Sequence, residues 1–419
     1  MSILFIYPNM YVMGGIQTWL TRVAPRLRSA GHEVALLTRA PGEPWDSTAA
    51  FVDRLSPDVP IHHAGRHWFA LPGSLKSRPV PADILFACNL PSLLMAVLVQ
   101  QHLMPKARIV AGIFHPREYT WNTPRLQRRW VQHLAERILR GLPAPNFMLF
   151  SPATERYPVA EFLGRDLSAS PAVSIPIDTD RLRPPLARPV DRRKILSVAR
   201  LTPSYAYIRQ MIHVIRDLRD QGHEFTYHCY GDGDERAKLE AEALRLDVAD
   251  AVFFPGSIPY DRFSESVQDA FAFIGTGTAL LEAAACRVPS LVAIDSHPGS
   301  STYGFIHQTV GNSIGGHVEG QREYRITERL CWLANRTEDQ YRAVEQASRA
   351  RAEEFALPQQ LPRFVDALRE AAPYFPRISR FDRAIGHVDW LLEAVMLKLG
   401  ARDTMTERFV RPTTCGEHA

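Results

Sequence analysis

The chain has no apolar run long enough to cross a bilayer. The longest, Leu93 to Val99, is seven residues, where a spanning helix needs about 18 or more. Nothing at the N-terminus has the form of a targeting signal, because the apolar run Ile3 to Tyr7 is one strand long and lacks a basic segment before it. Cysteine is scarce. The five cysteines (Cys88, Cys229, Cys286, Cys331 and Cys415) are odd in number, far apart and never in a CxxC pair. That argues against a disulfide framework or a zinc site and fits a reducing compartment. Excess charge is also small. Lys+Arg 49 against Asp+Glu 45 leaves +4, too little to argue for nucleic acid. What is present is an ordinary globular composition, 46% hydrophobic and 22% charged over 419 residues, which excludes disordered, collagen-like and coiled-coil chains and leaves room for two domains. The expectation is a soluble cytoplasmic protein, or at most one lying on the inner face of a membrane.

The first part of the chain alternates short apolar runs with helical patterns. Ile3 to Tyr7 reads as a doubly buried strand, and the loop Pro8 to Gly15 follows. Ile16, Leu20, Ala24 and Leu27 share one helical face before Gly31 ends the helix, with Pro25 predicting a kink. Further strands are expected at 33–38, 84–87, 108–113, 147–150 and 173–176. After the proline-rich stretch 178–191 the rhythm restarts, with strands at 194–199, 225–230, 251–254, 271–274 and 291–294 and helices between them. Strands alternating with helices mean parallel sheets covered on both faces. The fold class expected is α/β, two doubly wound parallel-sheet domains facing across a cleft with a helical C-terminal extension. The divisions are 1–180, 181–192 (linker), 193–355 and 356–419, the extension packing back on the first domain.

Two loops can offer backbone amides to a phosphate. Gly14-Gly15 precedes the first helix, and Gly275-Thr276-Gly277-Thr278 opens another. Without bulky side chains, such loops let an anion reach the helix N-terminus, where the dipole favours it. Neither matches the strict dinucleotide fingerprint or a P-loop, and each alone reads equally as a tight turn. Glu282 lies in the otherwise apolar helix Thr278 to Cys286. A carboxylate buried there needs a partner, and a vicinal ribose diol is a good one. Arg200, at the end of the strand 194–199, could neutralise a diphosphate, although an isolated arginine is usually a surface residue or ion-pair member.

The order of these pieces resembles the family 4 retaining glycosyltransferases of the GT-B fold. Gly14-Gly-Ile-Gln-Thr-Trp-Leu20 with Gly31-His-Glu-Val34 is similar to the family's glycine loop, first helix and second strand. Ile175-Pro-Ile-Asp178 with Asp180 resembles its interdomain segment. Ser197-Val-Ala-Arg-Leu201, Tyr230-Gly-Asp-Gly-Asp234, Phe254-Pro-Gly256 and Leu281-Glu-Ala283 with Val288-Pro289 resemble successive motifs of its donor-binding half. The resemblance implies that Arg200 faces the donor diphosphate, Glu282 the ribose and His115 the reacting sugar. It also implies donor contacts from Tyr205, Gly231, Gly233, Gly256 and Ser257. The donor would be a nucleotide-diphosphate sugar, UDP or GDP, with no metal or other cofactor. The acceptor would be a glycan or lipid-linked molecule of bacterial surface polysaccharide or glycolipid synthesis.

Two departures stand out. The family's lysine five residues after the arginine is Tyr205 here, which supplies no charge, and Arg209 is the candidate substitute. The carboxylate expected eight residues before Glu282 is Ile274. A degenerate binding or scaffold subunit and a sugar-nucleotide epimerase are therefore the rival readings. Asp232-Gly-Asp234 reads as a turn rather than a cation site. His62, His63 and His67 read as exposed strand and loop histidines. The segment 117–140 carries six Arg and two Glu. A helix is expected from an N-cap at Thr123 and Pro124 to Gly141, with Leu126, Trp130, Leu134 and Ile138 on one face. Its function is either ordinary core packing or contact with anionic lipid.

Overall fold

The computed structural model describes residues 1–10, 14–40, 55, 57–64, 79–115, 119, 129–183, 188–294, 299–309, 311, 314–318, 320–386 and 388. They divide into two units, one of Met1–Pro176 with the chain from Leu357 onward, the other of Ile177–Ala356.

The first unit holds a six-stranded sheet of β1 (Ser2–Ile6), β2 (Glu33–Arg39), β3 (Ile61–Ala64), β4 (Ile84–Ala87), β5 (Arg108–Ile113) and β6 (Phe147–Leu149). The order is β3-β2-β1-β4-β5-β6, and every pair is parallel. Most of its strands are buried on both faces, which explains their continuous rather than alternating apolar runs. The order reverses between β1 and β4, the switch point at which such sheets open a crevice. Helix α1 (Gly15–Ser29) follows β1 and passes through Pro25 without ending there. Its last turn carries Arg26 and Arg28, the charge sign that suits a helix C-terminus. Helix α2 (Leu90–His102) contains the Leu93 to Val99 run. Asn89 caps it by accepting from the Ser92 amide at 3.0 Å. Helices α3 (Trp130–Gly141) and α4 (Pro152–Leu163) complete this part.

The second unit holds β7 (Asp191–Val198), β8 (Thr226–Tyr230), β9 (Val252–Gly256), β10 (Ala270–Gly275), β11 (Ser290–Ala293), β12 (Ser301–Phe305) and β13 (Tyr324–Arg325). Their order is β13-β12-β11-β10-β7-β8-β9. The β7, β8, β9, β10 and β11 pairings are parallel, and β12 and β13 extend the sheet antiparallel. The helices are α5 (Ala206–Asp220), α6 (Arg236–Arg245), α7 (Phe263–Val267), α8 (Gly277–Ala285), α9 (Ile326–Ala334) and α10 (Glu338–Glu353). Helix α10 starts with a reciprocal cap, Thr337 and Gln340 each bonding the other's backbone amide.

Three expectations change. No strand forms at 173–176. Only Ala172 bridges to Leu149, and Pro171 and Pro176 bracket a ladder they cannot donate to. The stretch 181–192 belongs to the second unit, where β7 starts at Asp191 and the Arg188 side chain, 3% exposed, pairs with Glu345 at 2.6 Å. The extension beyond 356 is not helical throughout. Helix α11 (Leu357–Arg369) is followed by an extended strap, 371–379, and a helical turn at 380–386.

The strap is latched to the first unit. Asn146 Nδ2 donates to Ala372 O at 2.9 Å and Gln100 Nε2 to Tyr374 O at 2.8 Å. Arg108 donates to Arg369 O and Ala371 O. Helix α11 drives Phe364 into an aromatic cluster with Phe5, Trp19 and Phe86, the Trp19 and Phe364 rings lying 5.7 Å apart. The segment Ile385 to Leu399, where the sequence suggests an amphipathic helix, lies almost wholly outside the described residues.

Candidate functional site

The second unit assembles its candidate residues where β7 and β10 lie side by side and the strand order reverses. The register pairs Leu196 with Phe273, so the residues just after the two strands, 199–202 and 276–278, emerge next to each other at the carboxyl ends. A buried chain of hydrogen bonds pins this edge. Tyr227 Oη donates to Ser197 Oγ at 2.9 Å, and Ser197 Oγ donates to Ile274 O at 2.6 Å. Burial pushes the Tyr227 phenol well above its ordinary range, so it stays a donor.

Arg200 is exposed and makes no ion pair with a described residue. Beside it, Thr276 is extended and caps α8 without a side-chain bond. Gly277 adopts φ +64, which a glycine accommodates without strain. Its amide donates to Ile314 O at 2.6 Å. The Thr278 and Ala279 amides are the next two that a helix leaves without an intrahelical acceptor. Thus an uncommitted cation and the positive end of a helix share one edge.

Glu282 is 3% exposed, one turn into α8. Nearby, burial and then the Glu282 charge push the Cys286 thiol up to about 12. That thiol is therefore protonated at neutral pH and unsuited to nucleophilic work.

The glycines of 231–234 serve packing. A Cβ on Gly231 would lie 1.8 Å from Ala199 O, and one on Gly233 would lie 2.3 Å from Leu201 O. Backbone bonds run from Ala199 N to Tyr230 O, from Leu201 N to Asp232 O and from Gly231 N to Gly256 O. The loops after β7, β8 and β9 are thereby stitched main chain to main chain, holding Arg200 in place. Asp232 accepts from the Gly233 amide at 2.9 Å, as the turn reading expects. Gly256 has φ +92, and Ser257 after it is exposed.

The two departures now have geometry. Tyr205 caps α5, its ring edge-on to Tyr207 at 6.1 Å. Arg209 is held by Glu235 at 3.2 Å, which engages the cation suggested as a substitute. Ile274 is fully buried inside β10, paired with Leu291. One residue, Thr276, separates β10 from α8. The connection has no loop at that position to present a carboxylate.

In the first unit, Gly14 is the extended N-cap of α1 and Gly15 has open space about its Cα. Exposed His115 follows β5, so it and the glycine pair stand at the same end of the sheet. Among the described residues no three His, Cys, Asp or Glu side chains cluster as a metal-binding group. His62 and His63 are on β3 and half-buried rather than exposed, and His67 lies outside the described residues, as do Thr123 and Pro124. The sequence reading missed the segment 314–318. It crosses the start of α8 so closely that a Cβ on Gly315 would lie 2.4 Å from the Thr276 side chain. The glycine-rich run 311–320 was the available signal.

Residues 178–314 match the family model of glycosyl transferases group 1. The chain is 29% identical over 133 residues to a protein of Escherichia coli strain K12, WcaL, provisionally named a colanic acid biosynthesis glycosyltransferase. That alignment covers 29% of this chain and 32% of the relative, about a third of its length. A glycosyltransferase of Rickettsia africae superposes with a TM-score of 0.61 at 14% identity, covering 88% of this chain and 98% of that one. The Anabaena protein HepE, solved in complex with UDP, gives 0.59 at 13% identity over 88% and 100%. These likenesses establish the GT-B fold.

Proposed function

We propose that the protein is a retaining glycosyltransferase that moves a sugar from a nucleotide diphosphate to a glycan or lipid-linked acceptor in bacterial surface polysaccharide or glycolipid synthesis. One observation carries the reading: exposed Arg200, without an ion pair among the described residues, and the open start of α8 emerge from adjacent strands at the point where the sheet order reverses. Open α/β sheets bind ligands there. A diphosphate leaving group gains negative charge as the glycosidic bond breaks. A fixed guanidinium and helix amides would stabilise that charge without reorganising, and without a metal. Glu282 would accept from the ribose hydroxyls, and His115 would lie against the reacting sugar. The group 1 match over this unit supports the assignment, and UDP is the first nucleotide to try, given the complex reported for the Anabaena protein.

Titrating UDP, GDP, ADP and TDP against the thermal midpoint tests it. Saturation at 100 times the dissociation constant adds about 2.7 kcal/mol, a few degrees for domains of this size. One nucleotide raises the midpoint, and Glu282→Ala and Arg200→Ala abolish that shift. No shift with any nucleotide favours the scaffold reading, which Tyr205 and the missing loop at Ile274 support. Nucleotide-sugar turnover without an acceptor points instead to the epimerase reading.

A further inference from the structure

Eight large apolar side chains are exposed among the described residues, and four fall on two adjoining segments of the first unit: Trp130 on α3, then Phe375, Phe381 and Val388. The two segments are packed together. Trp130 and Phe381 meet edge to face at 6.0 Å, though 37% and 65% exposed. Arg137 reaches Asp382 at 3.0 Å, and Tyr374 Oη donates to Ile138 O at 2.7 Å. Buried Ile378 anchors the strap between them.

The charge on these two segments is one-sided. Residues 129–141 and 374–388 contain six arginines (129, 137, 140, 377, 380 and 383) and two carboxylates, Glu136 and Asp382. Both carboxylates are buried, each bonded to an arginine that stays partly exposed. No acid on either segment remains exposed, while Arg377 and Arg380 are exposed. A groove of about 340 Å³ opens beside the aromatic pair, lined by Trp130, His133, Leu134, Arg137, Arg140 and Asp382 among others.

We infer that this face docks on an anionic lipid surface, with Trp130 and Phe381 entering the interface and the surrounding arginines meeting lipid phosphates. Aromatic rings settle where one end is apolar and the other wet. Each arginine near an anionic leaflet adds attraction that salt screens. An acidic protein would also satisfy the arginines, and it is the alternative occupant that the vesicle test separates.

Co-sedimentation of the full-length protein with vesicles of phosphatidylcholine, with and without phosphatidylglycerol, tests the inference. The protein pellets only with the anionic vesicles, and added salt releases it. The double variant Phe381→Ser/Arg380→Glu lowers partitioning about ten-fold or more, as does Phe375→Ser/Arg377→Glu. Leu244→Ser, an exposed site in the second unit, leaves it unchanged. A protein that stays in the supernatant with anionic vesicles overturns the inference and leaves a protein partner for this face. Well-folded double variants that pellet like the parent overturn it too. The readout needs no nucleotide sugar, so its failure and that of the transferase reading are separable.

Discussion

Single atoms decide much of the second unit's design. Gly231 is sterically required, since any side chain would strike Ala199 O. Gly231→Ala should lose about 1–3 kcal/mol or more of stability in denaturant titrations, because the carbonyl it meets is main chain and cannot step aside. Arg200 is the opposite case. Exposed and free of ion pairs among the described residues, it has little to hold together. On the proposed function, Arg200→Ala should leave the unfolding midpoint unchanged while lowering the proposed sugar transfer about 100-fold or more, the scale of losing one preorganised donor to developing charge. Two histidines of this unit carry a pH signature. Burial and then Lys194 depress His228, and burial and then Arg329 depress His307, both below the ordinary 6.5. The folded state then binds fewer protons than the unfolded one below that pH, so their contribution to stability is present above about 6.5 and lost as pH falls. Stability measured between pH 7 and 5 should drop, and His228→Gln with His307→Gln should flatten the slope.

At the scale of elements, the second unit depends on a strut from α10 to the sheet. Arg188, almost fully buried, bonds Glu345, Tyr341 Oη and the carbonyls of Gln268 and Ala270. Tyr341 Oη in turn donates to Phe271 O at 2.7 Å. Glu345→Ala would leave a buried guanidinium without its counter-charge. It should therefore destabilise by about 3–5 kcal/mol, far more than an exposed ion pair would. Arg209→Ala is the contrast, an exposed partner of Glu235 whose loss should cost about 1 kcal/mol or less in the same unfolding experiment. The sequence puts Arg188 in a proline-rich stretch and Arg209 in a helical pattern, but neither setting says which arginine is buried. Their difference is burial, which only the packing of α10 on β10 creates.

At the scale of the molecule, the chain returns to its first unit after completing the second. The return is made by α11 and its strap rather than by a second strand crossing. Truncation after Ala356 should therefore destabilise the first unit, exposing Phe5, Trp19 and Phe86 where Phe364 packs, while the second keeps its own core. Phe364→Ala is the finer test. A large buried aromatic removed from a core costs about 3–5 kcal/mol, and unfolding followed by fluorescence should show the loss in the transition that reports Trp19.

Most of the strand and helix order was legible from local pattern. Parallel strands buried on both faces leave unbroken apolar runs, and glycine-rich turns mark where each run gives way to a helix. The strands β4 and β5 appear at their observed limits for that reason. The short antiparallel strands β12 and β13 at one end of the sheet escaped, because their pairing is stabilised by neighbouring strands rather than by their own composition. Arg200 and the Gly275–Thr278 turn were legible because they are contiguous with strand ends. That Arg209 is committed to Glu235, and that the 314–318 segment crosses the start of α8, were not. Those facts depend on how residues distant in sequence share space, and a single chain read in order carries hydrophobic period and turn chemistry but not distance.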